Sequence, residues 1–437
     1  MFNNYKNTLK DLRGFIILWS TQTLSALGSA MTNFALIIWS YTQSGSALTT
    51  ALLAFCSYTP YIILSIFAGA LSDRWNKKIT MLVSDSFAAL CTISVIILLV
   101  TGRIQIWYLY VINALNGLMN TVQQPASDVA VTLLTPKKYF HKIGGMRAFS
   151  NSLVTVLTPL LATALLALAG MRMVIIFDLL TFAIAFTALL FFVKIPQHQN
   201  DDNAEGKAEP EKLLQAAKSG LTYLKHNRGI LDLILLLAVI NFIASIFYTA
   251  LPAMILSKLE NGEIALGLVN TFTGLATIAG SLFVTFMPAP KSRTRVILNS
   301  LLFSMCTENF ILAVGNSLWL WCFGAVLGWL FIPVMNANMD VLFRQKIPVE
   351  IQGRVYSVRN TLQFFTIPLG YLCGGFLVDK VFEPFMAGLP SGHLLLSLFG
   401  TGKGSGAAFL FFVIGVVGVF ACLPFRADKH ILKLEEG

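Results

Sequence analysis

A few ionisable residues of this 437-residue chain stand inside long apolar runs rather than between them. Glu308 lies some 13 residues into one such run, in "SMCTENFIL", while Asp128 and Asp340 lie near the ends of two others. A carboxylate at membrane depth is costly, so each is read as functional. Two kinds of chemistry suit them. One is proton carriage, which needs an acid whose surroundings differ between two states of the protein; the other is an ion pair with an arginine. Glu308 has no basic neighbour in sequence and is the leading candidate for carriage; the competing view is that it reaches the outer interface or pairs structurally. Asp128 and Asp340 have Arg74, Arg147, Arg344 and Arg359 as available partners, so pairing is favoured and carriage comes second. Asp85 and Asp178 are expected to cap or bridge helices.

Neutral polar residues recur at helical spacing in the same kind of run. A helix facing lipid all round should be apolar all round, so a polar stripe marks a face turned to protein or water. One run has Gln22, Ser25, Ser29 and Asn33; another has Asn113, Asn116, Asn120 and Gln124; a third has Asn241, Ser245 and Tyr248, followed by Pro252; a fourth adds Asn336 one turn before Asp340. These stripes are expected to line a cavity that is polar without strong charge, with Tyr248, Trp329 and Phe331 nearby. Such a lining suits an amphipathic molecule better than a sugar phosphate, which calls for paired Arg or Lys at depth. The plainer reading is that the Ser and Asn side chains bond helix to helix, for about 0.6 kcal/mol each. The six cysteines all fall inside apolar runs without metal-ligand spacing and are read as packing residues, so neither a metal site nor a cofactor is expected.

The elements that position these residues follow from composition. The chain is 56% hydrophobic and only 12% charged, with a mean hydropathy of +0.72. A soluble domain is about 45–50% apolar and about 25% charged. Stretches long enough to cross a bilayer as helix occur at about 14–40, 47–72, 79–101, 104–134, 143–169, 172–193, 229–257, 263–287, 295–314, 317–343, 354–379 and 405–425. The first is too long, and lacks the cleavage pattern, to be a secretory signal. The expected fold is all-α and integral to the membrane, with twelve transmembrane helices. With both termini cytoplasmic, only Arg103, Arg172, Lys258, Lys380 and Lys403 of the 31 basic residues face outward, as the positive-inside rule requires. The formal charge of +10 is then a product of topology and of contact with anionic lipid, and implies no nucleic-acid partner.

One long polar interruption, residues 195–228, divides the spans six and six. Its first part has linker composition, and from Pro210 onward Leu213, Leu214, Ala217, Leu221 and Leu224 recur at the spacing of a helix lying on a membrane surface. The expected organisation is a bundle at 1–194, a cytoplasmic linker with an amphipathic helix at 195–228, and a second bundle at 229–437. The bundles also resemble each other. Arg13–Gly14 opens the first span and Arg228–Gly229 the seventh. At nearly the same offset, Asp128 and Pro136 match Asp340 and Pro348, and Gly144, Asn151, Leu153 and Pro159 match Gly353, Asn360, Leu362 and Pro368. Parallel six-span repeats with a site between them characterise a large class of secondary transporters.

The loop between the second and third spans, "GALSDRWNKK", concentrates charge in a chain that has little. It resembles the loop signature of the major facilitator superfamily, Gly-x-Leu-x-Asp-Arg-x-Gly-Arg-Lys, at Gly69, Leu71, Asp73, Arg74, Lys77 and Lys78, with Asn76 in place of the second Gly. The stretches "SYTPYIILSIFAGALSDRWNKK", "QQPASDVAVTLLTP", "IFDLLTFAIAF" and "GRVYSVRNTLQFFTIPLGYLCGGFLVDK" are similar to its macrolide-efflux and enterobactin-exporter branch. The resemblance implies that Asp73 and the basic residues latch the cytoplasmic ends of the two bundles, with Asp73 facing the start of the eleventh span near Gly353 and Arg354. It also implies that the first, fourth, seventh and tenth spans line a central cavity. Drug-proton antiporters of the superfamily often carry an Arg in the fourth span, where this chain has Asn113 and Asn116.

Nothing in the sequence supports an enzyme: no nucleotide-binding loop, no His and Glu metal cluster on one helix and no nucleophilic Ser motif occurs. No filter or ring of like charges suggests a channel. The expectation is a monomeric secondary transporter of the cell membrane that exports an amphipathic small molecule in exchange for protons. A lysophospholipid transporter or a nutrient importer of the same fold are the rivals.

Overall fold

In hydrocarbon every backbone N–H and C=O must be bonded within its own segment, which for an open chain means helix. The computed structural model describes residues 12–136, 139–196, 213–288 and 290–435, with the side chains of 65–74, 140–142, 213–217, 349–350, 353, 357 and 435 outside that description, and no strand occurs among the described residues. The helices are α1 (Arg13–Ser44), α2 (Ala47–Arg74), α3 (Lys77–Val100) and α4 (Ile106–Leu133), followed by the helical run Phe140–Thr187. That run breaks at Gly170, whose φ of 73° belongs to glycine, and divides into α5 (140–169) and α6 (171–187). Ala162 and Val174 share one core cluster with Leu27 and Met31 of α1. Unbroken helix would hold those two residues about 18 Å apart, so the chain folds back at Gly170. A π-helical turn, Ala188–Phe192, closes α6.

The second part of the chain begins with α7 (Leu213–His226) and continues with α8 (Arg228–Lys258), α9 (Gly262–Phe286) and α10 (Arg293–Val314). The tenth expected span is two helices, α11 (Leu318–Leu330) and α12 (Ile332–Lys346), broken at Phe331 just before Pro333. The eleventh is likewise α13 (Val349–Phe364) and α14 (Thr366–Phe376), prolonged by a π-helical stretch, Leu377–Phe382, and α15 (Glu383–Ala387). The short α16 (Leu394–Phe399), the long α17 (Ser405–Arg426) and α18 (Lys429–Leu432) complete it. Among the described residues, ten helical runs are long and apolar enough to cross a bilayer. One of the ten holds both α5 and α6. The helix left out, α4, is 28 residues long but interrupted by Asn113, Asn116, Asn120, Gln123 and Gln124. Counting both recovers the twelve spans.

Contacts group the helices into two units, Met1–Ser40 with Cys56–Asp202, and Tyr41–Phe55 with Asn203–Gly437. In the first, Leu18, Met81, Ala126, Ala130 and Leu189 form a core that joins α1, α3 and α4 to the end of α6. In the second, α10 packs on α17, α8 on α14 and α9 on α11. Two segments fall on a different side from the expected boundaries. Residues 41–55 group with the second unit because Asp379 caps α2: its carboxylate accepts from Ser46 Oγ (2.5 Å) and from the backbone N–H of Ala47 (3.0 Å) and Leu48 (2.9 Å). A carboxylate at a helix N-terminus is favoured by its unpaired N–H groups. Helix α7 also groups there, and Tyr223 donates to the Lys346 carbonyl (2.8 Å).

Candidate functional site

The first unit lines an open-sided cavity of about 650 Å³. Gln22 and Asn33 of α1 and Asn113, Asn116, Asn120 and Gln124 of α4 all line it, so the two polar stripes expected from spacing meet across one space. Rings of Phe15, Trp19, Tyr61 and Phe182 share the lining. The amides are not equally available. Asn113 is buried and donates to the Leu109 carbonyl of its own helix (2.8 Å), whereas the Asn116 carboxamide oxygen is buried without a hydrogen-bond partner among the described residues. Gln124 leans one turn along α4 toward Asp128 (3.4 Å).

Two acids on the same wall are, on sequence alone, no more than helix bridges. Asp85 of α3, 8% exposed, accepts from Gln22 (3.1 Å) and from Gln123. Asp178 of α6, 3% exposed, accepts from Ser29 (2.9 Å) and more weakly from Thr92 (3.4 Å). Both do bridge helices, and both also line the cavity. Room for Asp178 comes from Gly28: a Cβ there would meet Thr181 Oγ1 and the Asp178 backbone. The signal available in sequence is the cost of an acid inside an apolar run. Their partners on α1 are distant in the chain and are not visible there.

The acids expected to pair with arginine each stand beside one, at equivalent places in the two units but at different distances. Asp128 is bonded to Arg147, and Asp340 stands 3.9 Å from Arg359. The two pairs have the same separation along the chain and occupy equivalent positions of the repeat. Arg147 is on the cavity wall. Arg359 lies over the Phe343 ring (4.6 Å) and donates from Nε to Gln363 (2.9 Å).

Glu308 is buried within its unit. It is 6% exposed inside the second unit, where Trp329 Nε1 donates to its Oε1 (3.1 Å). Trp329 in turn stands beside Tyr248, ring centroids 6.0 Å apart, and Phe331 packs on Phe303. The stripe on α8 has a different fate from those on α1 and α4. Asn241 donates to the Gln363 carbonyl (3.2 Å), and Ser245 is buried against Gly370 of α14. These are helix-to-helix contacts, the plainer of the two expected roles. Tyr248 is 41% exposed and Asn336 is exposed.

Of the charged loop, Gly69, Asp73 and Arg74 fall where side chains lie outside the described residues. Asn76, where the signature has Gly, caps α3: its Oδ1 accepts from the Ile79 N–H. Lys78 donates to the Leu190 and Val193 carbonyls (2.9 and 2.8 Å) and so caps α6, while Lys77 donates to the Trp75 carbonyl. Arg354, near the site expected to receive Asp73, has its backbone carbonyl packed against Gly220 of α7.

Apolar spans grouped in two units, one of them with a polar cavity walled by buried acids and amides, define a multi-pass membrane protein. The chain belongs to the Major Facilitator Superfamily, whose model matches residues 18–371, and its relatives are transporters rather than enzymes. It is 21% identical to "Macrolide efflux protein A" of Streptococcus pyogenes over 383 residues, 87% of this chain and 91% of that one. It is likewise 21% identical to "Multidrug efflux pump Tap" of Mycolicibacterium fortuitum over 389 residues, 88% of this chain and 92% of that one. The crystal structure of the nucleoside transporter NupG shares the fold, with a TM-score of 0.68 over 95% of this chain and 99% of that one at 12% identity.

Proposed function

We propose that this protein exports an amphipathic small molecule across the cell membrane by alternating access, in exchange for protons. The observation that carries the reading is the cavity of about 650 Å³, whose carboxamides and aromatic rings suit a ligand with both polar and apolar surface. Efflux pumps among the relatives support the direction of transport. With no nucleotide-binding loop in the sequence, uphill export draws on an ion gradient. Glu308 is the proposed proton carrier, because this buried acid is held by an indole N–H, with no countercharge bonded to it among the described residues. Asp128–Arg147 and Asp340–Arg359 then act as gates that open and close with the cycle, and Asp73 with Lys77, Lys78 and Arg354 as a cytoplasmic latch. Both termini and residues 195–228 face the cytoplasm in this scheme, and contact with anionic lipid follows from it.

Transport assays in proteoliposomes test the reading. A panel of macrolides, catecholate siderophores, nucleosides and lysolipids is offered with and without an imposed proton gradient. Gradient-stimulated efflux of a macrolide or siderophore is the expected result. Transport of lysolipid alone would favour a lipid transporter. Gradient-driven uptake of nucleoside would favour an importer, the reading that the shared fold of NupG keeps in view. A single cysteine at Asn203 labelled from outside intact cells would overturn the orientation.

A further inference from the structure

Among the described residues, the two cavity acids have no bonded countercharge. Asp85 is held by Gln22 and Gln123, Asp178 by Ser29 and Thr92, and all four are neutral donors. Arg147 is the one base among the described residues that line the cavity, and it is bonded to Asp128. Once that ion pair is set aside, two carboxylates remain on the lining without an opposite charge. Amide and hydroxyl donors orient a carboxylate without neutralising it. Each carboxylate has about four acceptor positions, so two donors leave capacity unused on each. A buried charge left in that state is costly unless it takes up a proton or a bound group brings the opposite sign.

The spacing of the two acids says what that something is. Gln22 and Ser29 stand two helical turns apart on α1, and Asp85 and Thr92 two turns apart on α3. Two turns are about 10 Å. The carboxylates thus form two levels of one cavity instead of one cluster. A hard metal ion needs several oxygens around a single point, which two acids at different levels do not supply. Two levels do suit a positive group that enters at one and moves to the other. A second observation points the same way: the Asn116 carboxamide oxygen lines this cavity, buried, with no hydrogen-bond partner among the described residues. It is an acceptor waiting for a donor. Phe182, one turn from Asp178, adds an aromatic face, and rings attract cations.

We propose that Asp85 and Asp178 are two anionic stations for the ammonium group of the transported molecule, so that the cavity takes amphiphilic organic amines in their charged form. Anionic amphiphiles meet two like charges there, and neutral ones leave both acids without a countercharge. The inference rests on reading this cavity as the substrate site and goes further by fixing the charge of what enters.

The test compares two fluorescent probes that differ in one charge, dansylcadaverine, which carries a primary ammonium, and its neutral N-acetyl derivative. Binding is measured to the full chain in lipid nanodiscs, with empty nanodiscs subtracted. The wild type is expected to bind the amine about tenfold more tightly than the acetylated probe, the scale of one charge-assisted contact. Asp85→Asn and Asp178→Asn each should erase most of that preference and leave the acetylated probe within about twofold of wild type. Asn keeps the size of the side chain, and Asp85→Glu, which restores the charge, should recover the preference. Equal affinity of the wild type for both probes overturns the proposal. So does an equal loss of both probes in the Asn variants, which would make the acids structural or proton-carrying, or an amine preference that survives in the double Asn variant. Binding needs no transport, so failure of the export panel bears on the efflux reading alone, and equal probe affinities bear on the charge assignment alone.

Discussion

The two units carry one ion pair each, built from the same repeat, and use it differently. Asp128 and Arg147 close directly on each other at the edge of a cavity. Their repeat counterparts, Asp340 and Arg359, stand 3.9 Å apart, and the guanidinium spends itself on Phe343 and Gln363. The same divergence holds for the polar stripes. On α1 and α4 they line open space, whereas on α8 they are consumed by α13 and α14, with Asn241 on a backbone carbonyl and Ser245 against Gly370. At the offset that matches Arg13 to Arg228, Asn241 and Ser245 fall opposite Ala26 and Ala30, so the repeat does not carry the stripes over, and what packs opposite each stripe decides whether it meets open space or a neighbouring helix. The polar cavity thus lies in the first unit, and the second keeps a buried acid, Glu308, beside Trp329.

The sharpest way to break this division is Glu308→Gln. Gradient-driven efflux from vesicles should fall to the uncoupled background, while gradient-free exchange of substrate continues. Unchanged coupled efflux would remove Glu308 from the mechanism and shift carriage to Asp128 and Asp340. Next in size is Gly28→Ala, whose methyl would meet Thr181 and the backbone of Asp178. Overpacking of this kind costs about 1–3 kcal/mol, to be read as a lower thermal midpoint in detergent. The third comparison sets the ion pairs against each other. Asp128 and Arg147 are both close to half exposed, so Arg147→Ala should cost less than about 1 kcal/mol in stability and show instead in transport rate. Arg359→Ala also loses the Phe343 ring and Gln363, so its stability loss should be larger, about 1–2 kcal/mol. Equal losses would mean that the two pairs do the same work. The smallest effect is expected at Asn241→Ala, about 0.6 kcal/mol with transport unchanged. A transport defect there without a stability change would return α8 to the cavity wall.

These contrasts also show where sequence reading succeeds and where it stops. The twelve spans are legible because length and apolarity are local, and α4 is found despite its Asn and Gln residues because they fall on one side of a long helix. The repeat is legible for the same reason: Arg13 and Arg228 each begin a helix at equivalent places in the two halves. Helical spacing identifies the polar face of α8 as readily as that of α4. It carries no information on the partner, and only tertiary packing separates Asn241 from Asn120. Asp85 and Asp178 illustrate the same limit from the other side. Each is recognisable as an acid out of place, but a role requires knowing that Gln22 and Ser29 stand opposite. The grouping of Tyr41–Phe55 with the second unit depends on Asp379, far along the chain in the eleventh span, and no periodicity encodes it.

The contact between Trp329 and Glu308 gives the protein an optical property of its own. Indole emission responds to charge placed near the ring, and here the indole N–H is bonded to the one acid proposed to change charge during the cycle. Trp329 is one of seven tryptophans, so the difference spectrum between wild type and Trp329→Phe isolates its light. If Glu308 takes up and releases a proton in each turnover, that spectrum should shift as a proton gradient is imposed and relax as it collapses, allowing the coupling step to be timed in unlabelled protein.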